Sequence, residues 1–192
     1  MARAENDFYP TTQYPIEAFL MHEKFTGNIW EPACGEGDIA KIFLRKGFNV
    51  KATDLVDYGF GTPGQDFLKY DGEMVDNIVT NPPFLFGTKF VLQAKRFARH
   101  KIAMLFPLSF IGCQERYEMF QDKEFPLKAY YPFSQRISMY ADGKKTKNGS
   151  KIDFAWYVWD RNHIGKPWIE WIKPYTEIIL FEKHISKPKD FK

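Results

Sequence analysis

Thr80-Asn81-Pro82-Pro83-Phe84 joins residue types that together can act on an aromatic amine. Two consecutive prolines after an apolar run fix the backbone and leave two positions with no N–H donor. The carbonyls of such a turn can then face a ligand. The exocyclic amine of a nucleobase is a poor nucleophile, because its lone pair is delocalised into the ring. If the Asn81 side-chain oxygen and the Pro82 carbonyl accept its two hydrogens, the nitrogen is held with its lone pair toward an electrophilic methyl. Positioning and preorganised dipoles then lower the barrier, and no strong base is needed. Phe84 would stack on the base ring. A rigid strand-to-loop turn with Asn81 as a cap is the competing reading, and neighbouring motifs decide between them.

Two further segments fall at comparable places. Glu31-Pro32-Ala33-Cys34-Gly35-Glu36-Gly37 links a short apolar run to an amphipathic one, and its glycines let the backbone approach a ligand closely. The segment is not GxGxxG and lacks the GK[ST] of a P-loop, which argues against dinucleotides and nucleoside triphosphates. Asp54 closes the next apolar run, where a carboxylate can accept hydrogen bonds from both hydroxyls of a ribose. Asp66-Phe67, after a loop with three glycines and a proline, can meet an adenine through its amine and by stacking.

The elements that would position these residues follow from periodicity and punctuation. Helices are expected over 15–25, 38–46, 88–100 and 114–122, the second closed by Gly47 at its C-cap. Strands are expected over 28–31, 48–53, 77–80 and 101–106. From residue 127 onward the pattern turns to strands, over 127–131, 135–140 and 153–160. Alternating strands and helices, followed by a strand cluster, predict an α/β fold with a mostly parallel sheet and antiparallel strands at one edge. In such sheets ligands sit beyond the carboxyl ends of the strands, at the switch point of strand order. Gly35 and Gly37, Asp54 and Asn81 each follow a predicted strand, so they gather on one edge.

Composition limits the alternatives. The 192 residues are 44% hydrophobic and 27% charged, which predicts one globular domain over 1–192. Aromatics reach 18%, far more than one site can use, so most must be core. Cys34 and Cys113 form no CxxC pair, and four scattered histidines lack metal-ligand spacing, so neither a disulfide framework nor a metal is expected. No apolar run is long enough for a signal peptide or membrane span, which predicts a cytoplasmic protein with no membrane partner. The net charge of +3 is uneven: residues 141–192 carry +4 and the rest −1, compatible with an edge that meets phosphates.

With these motifs assembled, the chain resembles the amino-group (N6-adenine and N4-cytosine) DNA methyltransferases from about Phe8 to Asp160. Asn81-Pro82-Pro83-Phe84 matches that family's catalytic tetrad, and Glu31 to Gly37 looks like its methionine-binding motif. Asp54, with Leu55 beside it, matches the ribose-binding acid, and Asp66-Phe67 is similar to the position that contacts the cofactor adenine. Tyr9-Pro10-Thr11 resembles the N-terminal cofactor motif, with Thr12 where the family often has proline. The motif order looks like the gamma arrangement, and the tetrad's Phe and residues 153–160 most resemble small bacteriophage-type adenine methyltransferases. The resemblance implies a Rossmann-like S-adenosylmethionine-dependent fold. It also implies direct methyl transfer to adenine N6 in DNA after base flipping, in a bacterial or phage-infected cell. RNA, cytosine N4, a glutamine amide, or a non-catalytic partner subunit are the alternative readings.

After Asp160 only 32 residues remain, too few for a separate target-recognition domain. Contact with DNA would then fall to loops, first among them residues 141–151. There Lys144, Lys145, Lys147 and Lys151 would neutralise phosphates and Asn148 would meet a base. A solvated hairpin tip explains the same composition.

Overall fold

The computed structural model describes residues 10–137 and 152–174. Chain order gives α1 (Gln13–His22), β1 (Ile29–Glu31), α2 (Asp38–Arg45), β2 (Val50–Ala52), β3 (Val75–Thr80), α3 (Gly87–Phe97), β4 (Ala98–Pro107), α4 (Tyr117–Gln121), β5 (Leu127–Pro132), β6 (Phe154–Asp160) and β7 (Trp168–Ile169). Among the described residues no helix is long and apolar enough to cross a membrane.

The strands form one sheet in the order β2-β1-β3-β4-β6-β5-β7. β1 through β4 pair in parallel, and β6 is antiparallel to both β4 and β5. This is the mostly parallel α/β sheet with antiparallel pairing that the alternation of elements predicts. The chain leaves β1 outward to β2 and returns on the other side at β3. The switch point therefore lies between β1 and β3, which opens a cleft at their carboxyl ends.

Period-two alternation assigns the core. In β6, Phe154, Trp156 and Val158 join the cluster of Ile16, Phe19, Ile39 and Phe43 beneath α1 and α2. Ala155, Tyr157 and Trp159 join Phe90, Val91 and Phe97 of α3 on the other face. Burial on both faces explains why this strand is apolar without interruption. Trp30, Trp156, Trp159, Tyr131 and Tyr157 are among the largest fully buried side chains, so much of the aromatic content is core.

Gly47 ends α2 in the left-handed region (φ 84°). Phe48 N donates to Phe43 O at 3.1 Å and Gly47 N to Leu44 O at 3.0 Å, the two bonds of a Schellman motif, with Phe43 and Phe48 in edge contact. Two expectations need correction. The helix expected to reach His100 ends at Phe97, because Ala98 turns extended and β4 pairs from there with Val75. Residues 135–137, expected as the start of a strand, are not in one, and the rest of that segment lies outside the described residues. The place beside β5 is taken instead by the two-residue β7, which periodicity cannot detect.

Candidate active site

Glu31 closes β1 with its carboxylate buried and turned into the first turn of α2, where Oε2 accepts the Ala40 N–H at 2.7 Å. Burial pushes this carboxyl well above its usual value. The Ala40 bond opposes that shift, and nearby Asp38 and Asp54 add to it. The turn that follows is folded on itself and onto β2: Gly37 N donates to Cys34 O at 2.7 Å and Cys34 N to Thr53 O at 3.0 Å. Gly37 sits at φ 83°, and the Phe60 ring occupies the space a Cβ would need. No side chain other than glycine's hydrogen fits there without moving Phe60.

Asp54, 9% exposed, ties the second strand end to the same turn. Its Oδ2 accepts the Gly35 N–H at 2.8 Å and its Oδ1 the Val56 N–H at 3.0 Å. The carboxylate expected to meet a ribose thus also holds the glycine turn in place. Asp66 caps a short 3-10 turn through Leu68 N at 3.0 Å and meets Lys69 Nζ at 3.2 Å. Phe67 is 3% exposed and packs against Trp30 and Phe90, with centroids 5.1 Å away in both cases, and it also lines the cleft. The exposed apolar groups at the mouth are Leu55, Leu85 and Phe86. Of these only Leu55 was anticipated.

The tetrad leaves β3 beside this turn. Pro82 is buried, and Phe84 is half-buried, packed against both core clusters with its ring 5.6 Å from Phe154. Asn81 Nδ2 donates to Thr11 Oγ1 at 3.0 Å, which brings the N-terminal segment onto the tetrad across 70 residues of sequence. The Thr11 main chain also hydrogen-bonds the Asp38 carboxyl. Burial and Glu36 raise that carboxyl above its ordinary range, while Thr11 and Lys41 pull it down. Asp38 was legible only as a first-turn helix residue, because the Thr11 contact that places it at the site is long-range.

These groups enclose one cleft of about 490 Å³, lined by Pro10, Thr11, Glu31 through Glu36, Asp54, Leu55, Asp66, Phe67, Asn81 and Pro83 among others. Its described lining holds five carboxylates (Glu31, Glu36, Asp38, Asp54 and Asp66) and no lysine, arginine or histidine. Such a cleft favours a cationic ligand and disfavours a polyphosphate. Cys34 also lines it, and burial pushes its thiol up to about 12, so it is protonated and a poor nucleophile. Tyr9 and the loop residues Lys144, Lys145, Lys147, Asn148 and Lys151 lie outside the described residues.

No protein-family model and no curated protein sequence matches the chain. Solved structures do. A Listeria monocytogenes protein, provisionally described as a class I S-adenosylmethionine-dependent methyltransferase, superposes with a TM-score of 0.60 at 16% identity, covering 87% of this chain and 68% of that one. A Pyrococcus horikoshii protein, provisionally described as an RNA methyltransferase, gives 0.60 at 14% identity over 76% of this chain and 79% of its own. A Vibrio vulnificus protein, provisionally described as the modification subunit of a type I restriction enzyme, gives 0.57 at 14% identity. It covers 95% of this chain, which spans 48% of that one. At these identities the likeness concerns architecture: the chain has the Rossmann-like fold of class I S-adenosylmethionine-dependent methyltransferases.

Proposed function

We propose that this chain transfers a methyl group from S-adenosylmethionine to the N6 amino group of adenine in DNA. The observation that carries the reading is the placement of Asn81, first residue of Asn81-Pro82-Pro83-Phe84, in the same cleft as the glycine turn and Asp54. The cleft's carboxylates also suit the cofactor, whose sulfonium and ammonium groups make it cationic. Asp54 and Leu55 would hold its ribose, and Asp66 its adenine. Pro32, Ala33, Gly35 and Gly37 would lie along its methionine end, with Glu31 and Asp38 near its positive charges.

When bound, S-adenosylmethionine supplies a methyl group on a positively charged sulfur. The chain's task is to present the amine. The Asn81 carbonyl oxygen and the Pro82 carbonyl accept the two N6 hydrogens, which aims the nitrogen lone pair at the methyl carbon. With the cofactor bound, the N–C bond would form as the S–C bond breaks, and the nitrogen would then give up one proton to solvent. Phe84, at the end of the turn, stacks on a base flipped out of the duplex. On sequence grounds Lys144, Lys145, Lys147 and Lys151 neutralise phosphates and Asn148 meets a base.

A fold held in common with the described restriction modification subunit is compatible with DNA as acceptor, and one held with the described RNA methyltransferase names the rival. Labelled methyl transfer to duplex DNA, total RNA and a protein extract decides between them. Label is expected in DNA as N6-methyladenine, and Asn81→Ala should lower the rate about 100-fold or more. Label only in RNA, protein or N4-methylcytosine overturns the acceptor. An unchanged rate in Asn81→Ala removes that residue's role.

A further inference from the structure

Thr11 is 4% exposed. It accepts a hydrogen bond from Asn81 Nδ2 at 3.0 Å. Its main chain bonds Asp38 at the start of α2, the helix whose first turn also holds Glu31 through Ala40 N. Thr11 therefore joins the two halves of the site, the carboxylate-lined helix start and the tetrad. The sequence placed it among cofactor-binding residues, but its hydroxyl is committed to the amide of Asn81.

A primary amide presents opposite chemistry on its two edges. With the carbonyl oxygen toward the acceptor, Asn81 receives a hydrogen from the substrate amine. Rotated by half a turn it would set N–H against N–H and repel that amine. A hydroxyl can accept from the NH2 edge or donate to the carbonyl edge, so it anchors the side chain in either orientation; here it accepts, which leaves the carbonyl edge turned away from Thr11. We infer that the Thr11 hydroxyl is a positioning group, which holds the Asn81 amide with its carbonyl oxygen toward the substrate amine; this rests on the methyl-transfer reading above.

Thr11→Val removes the acceptor at nearly constant volume, and Thr11→Ser keeps it. Thr11→Val should lower kcat about 10- to 100-fold, the scale on which misplacement of a reacting group acts. The Kd for S-adenosylmethionine, by calorimetry, should stay within about twofold, since uniform binding is not what is lost. Thr11→Ser should recover most of the rate. In 15N-labelled full-length protein, the Asn81 side-chain NH2 resonance, assigned by its loss in Asn81→Ala, should move in Thr11→Val and stay in Thr11→Ser. Thermal unfolding of both variants shows whether each remains folded. An unmoved amide resonance, an unchanged kcat, or a loss of cofactor affinity as large as the loss of rate each overturns the inference. If wild type transfers no methyl to any acceptor, the reading of function falls by itself, and the amide resonance still upholds or overturns the role of Thr11.

Discussion

Glu31 and Asp38 meet at the start of α2 with carboxyls that retain their protons to higher pH than ordinary acids do, mainly because burial penalises their charge. A raised folded-state value means that these groups contribute stability below their unfolded-state values. That contribution is lost as pH rises through the folded-state values. The unliganded protein thus gives up stability as they ionise, and a cationic ligand seated against them returns it. The increase in thermal midpoint produced by saturating S-adenosylmethionine should therefore grow as pH rises above the ordinary carboxylate range. S-adenosylhomocysteine, which lacks the sulfonium charge, should show a shallower rise. Equal slopes for the two ligands would mean that the carboxylates do not sense that charge. Asn81 was legible at this level because its chemistry is local to four residues. The packing of Phe67 against Trp30 and Phe90 was not, since an aromatic looks the same in sequence whatever it packs against.

Among the elements, the two ends of α2 show what a left-handed glycine does in two settings. Gly37, at φ 83°, is overlaid by Phe60 beside the cleft, whereas Gly47, at φ 84°, has nothing within 4 Å of its would-be Cβ. Either substitution to alanine should cost about 1–2 kcal/mol of backbone strain, read by urea denaturation. Only Gly37→Ala, which must also displace Phe60, should weaken cofactor binding in calorimetry. Equal affinities in the two variants would show that the turn does not shape the ligand cleft. Gly47 was readable as a helix stop because capping is a short-range matter. The α3–β4 boundary was not, because pairing of Ala98 with Val75 overrides the helical pattern that runs to His100.

Across the whole molecule, the edge of the sheet opposite the cleft carries its own polar anchor. Glu23, 2% exposed at the end of α1, accepts hydrogen bonds from Lys101 of β4, Lys128 of β5 at 2.8 Å and Tyr131 at 3.0 Å. Asp160 of β6 stands 3.7 Å from Lys101 and 3.6 Å from Lys128. The cluster links α1 to three strands where β6 runs against its neighbours. Glu23→Ala should cost about 3 kcal/mol in urea unfolding, because it leaves two partly buried lysines sharing one carboxylate. Methyl transfer per folded molecule should be unaffected; a loss of stability under about 1 kcal/mol would show that the lysines simply turn to solvent. None of this was legible in sequence, since Glu23, Lys101, Lys128 and Asp160 lie far apart and each reads alone as a surface charge. What the sequence by itself determined is short-range: the tetrad, the glycine turn, the strand-end acid and the alternation of elements that puts them on one edge of a mostly parallel sheet. Only the tertiary structure decided that Thr11 holds Asn81, that Phe67 belongs to the core, that Asp38 joins the cleft and that β7 completes the sheet. Those outcomes depend on pairings between distant segments, and such pairings are set by packing and complementarity across the fold, which no local pattern encodes.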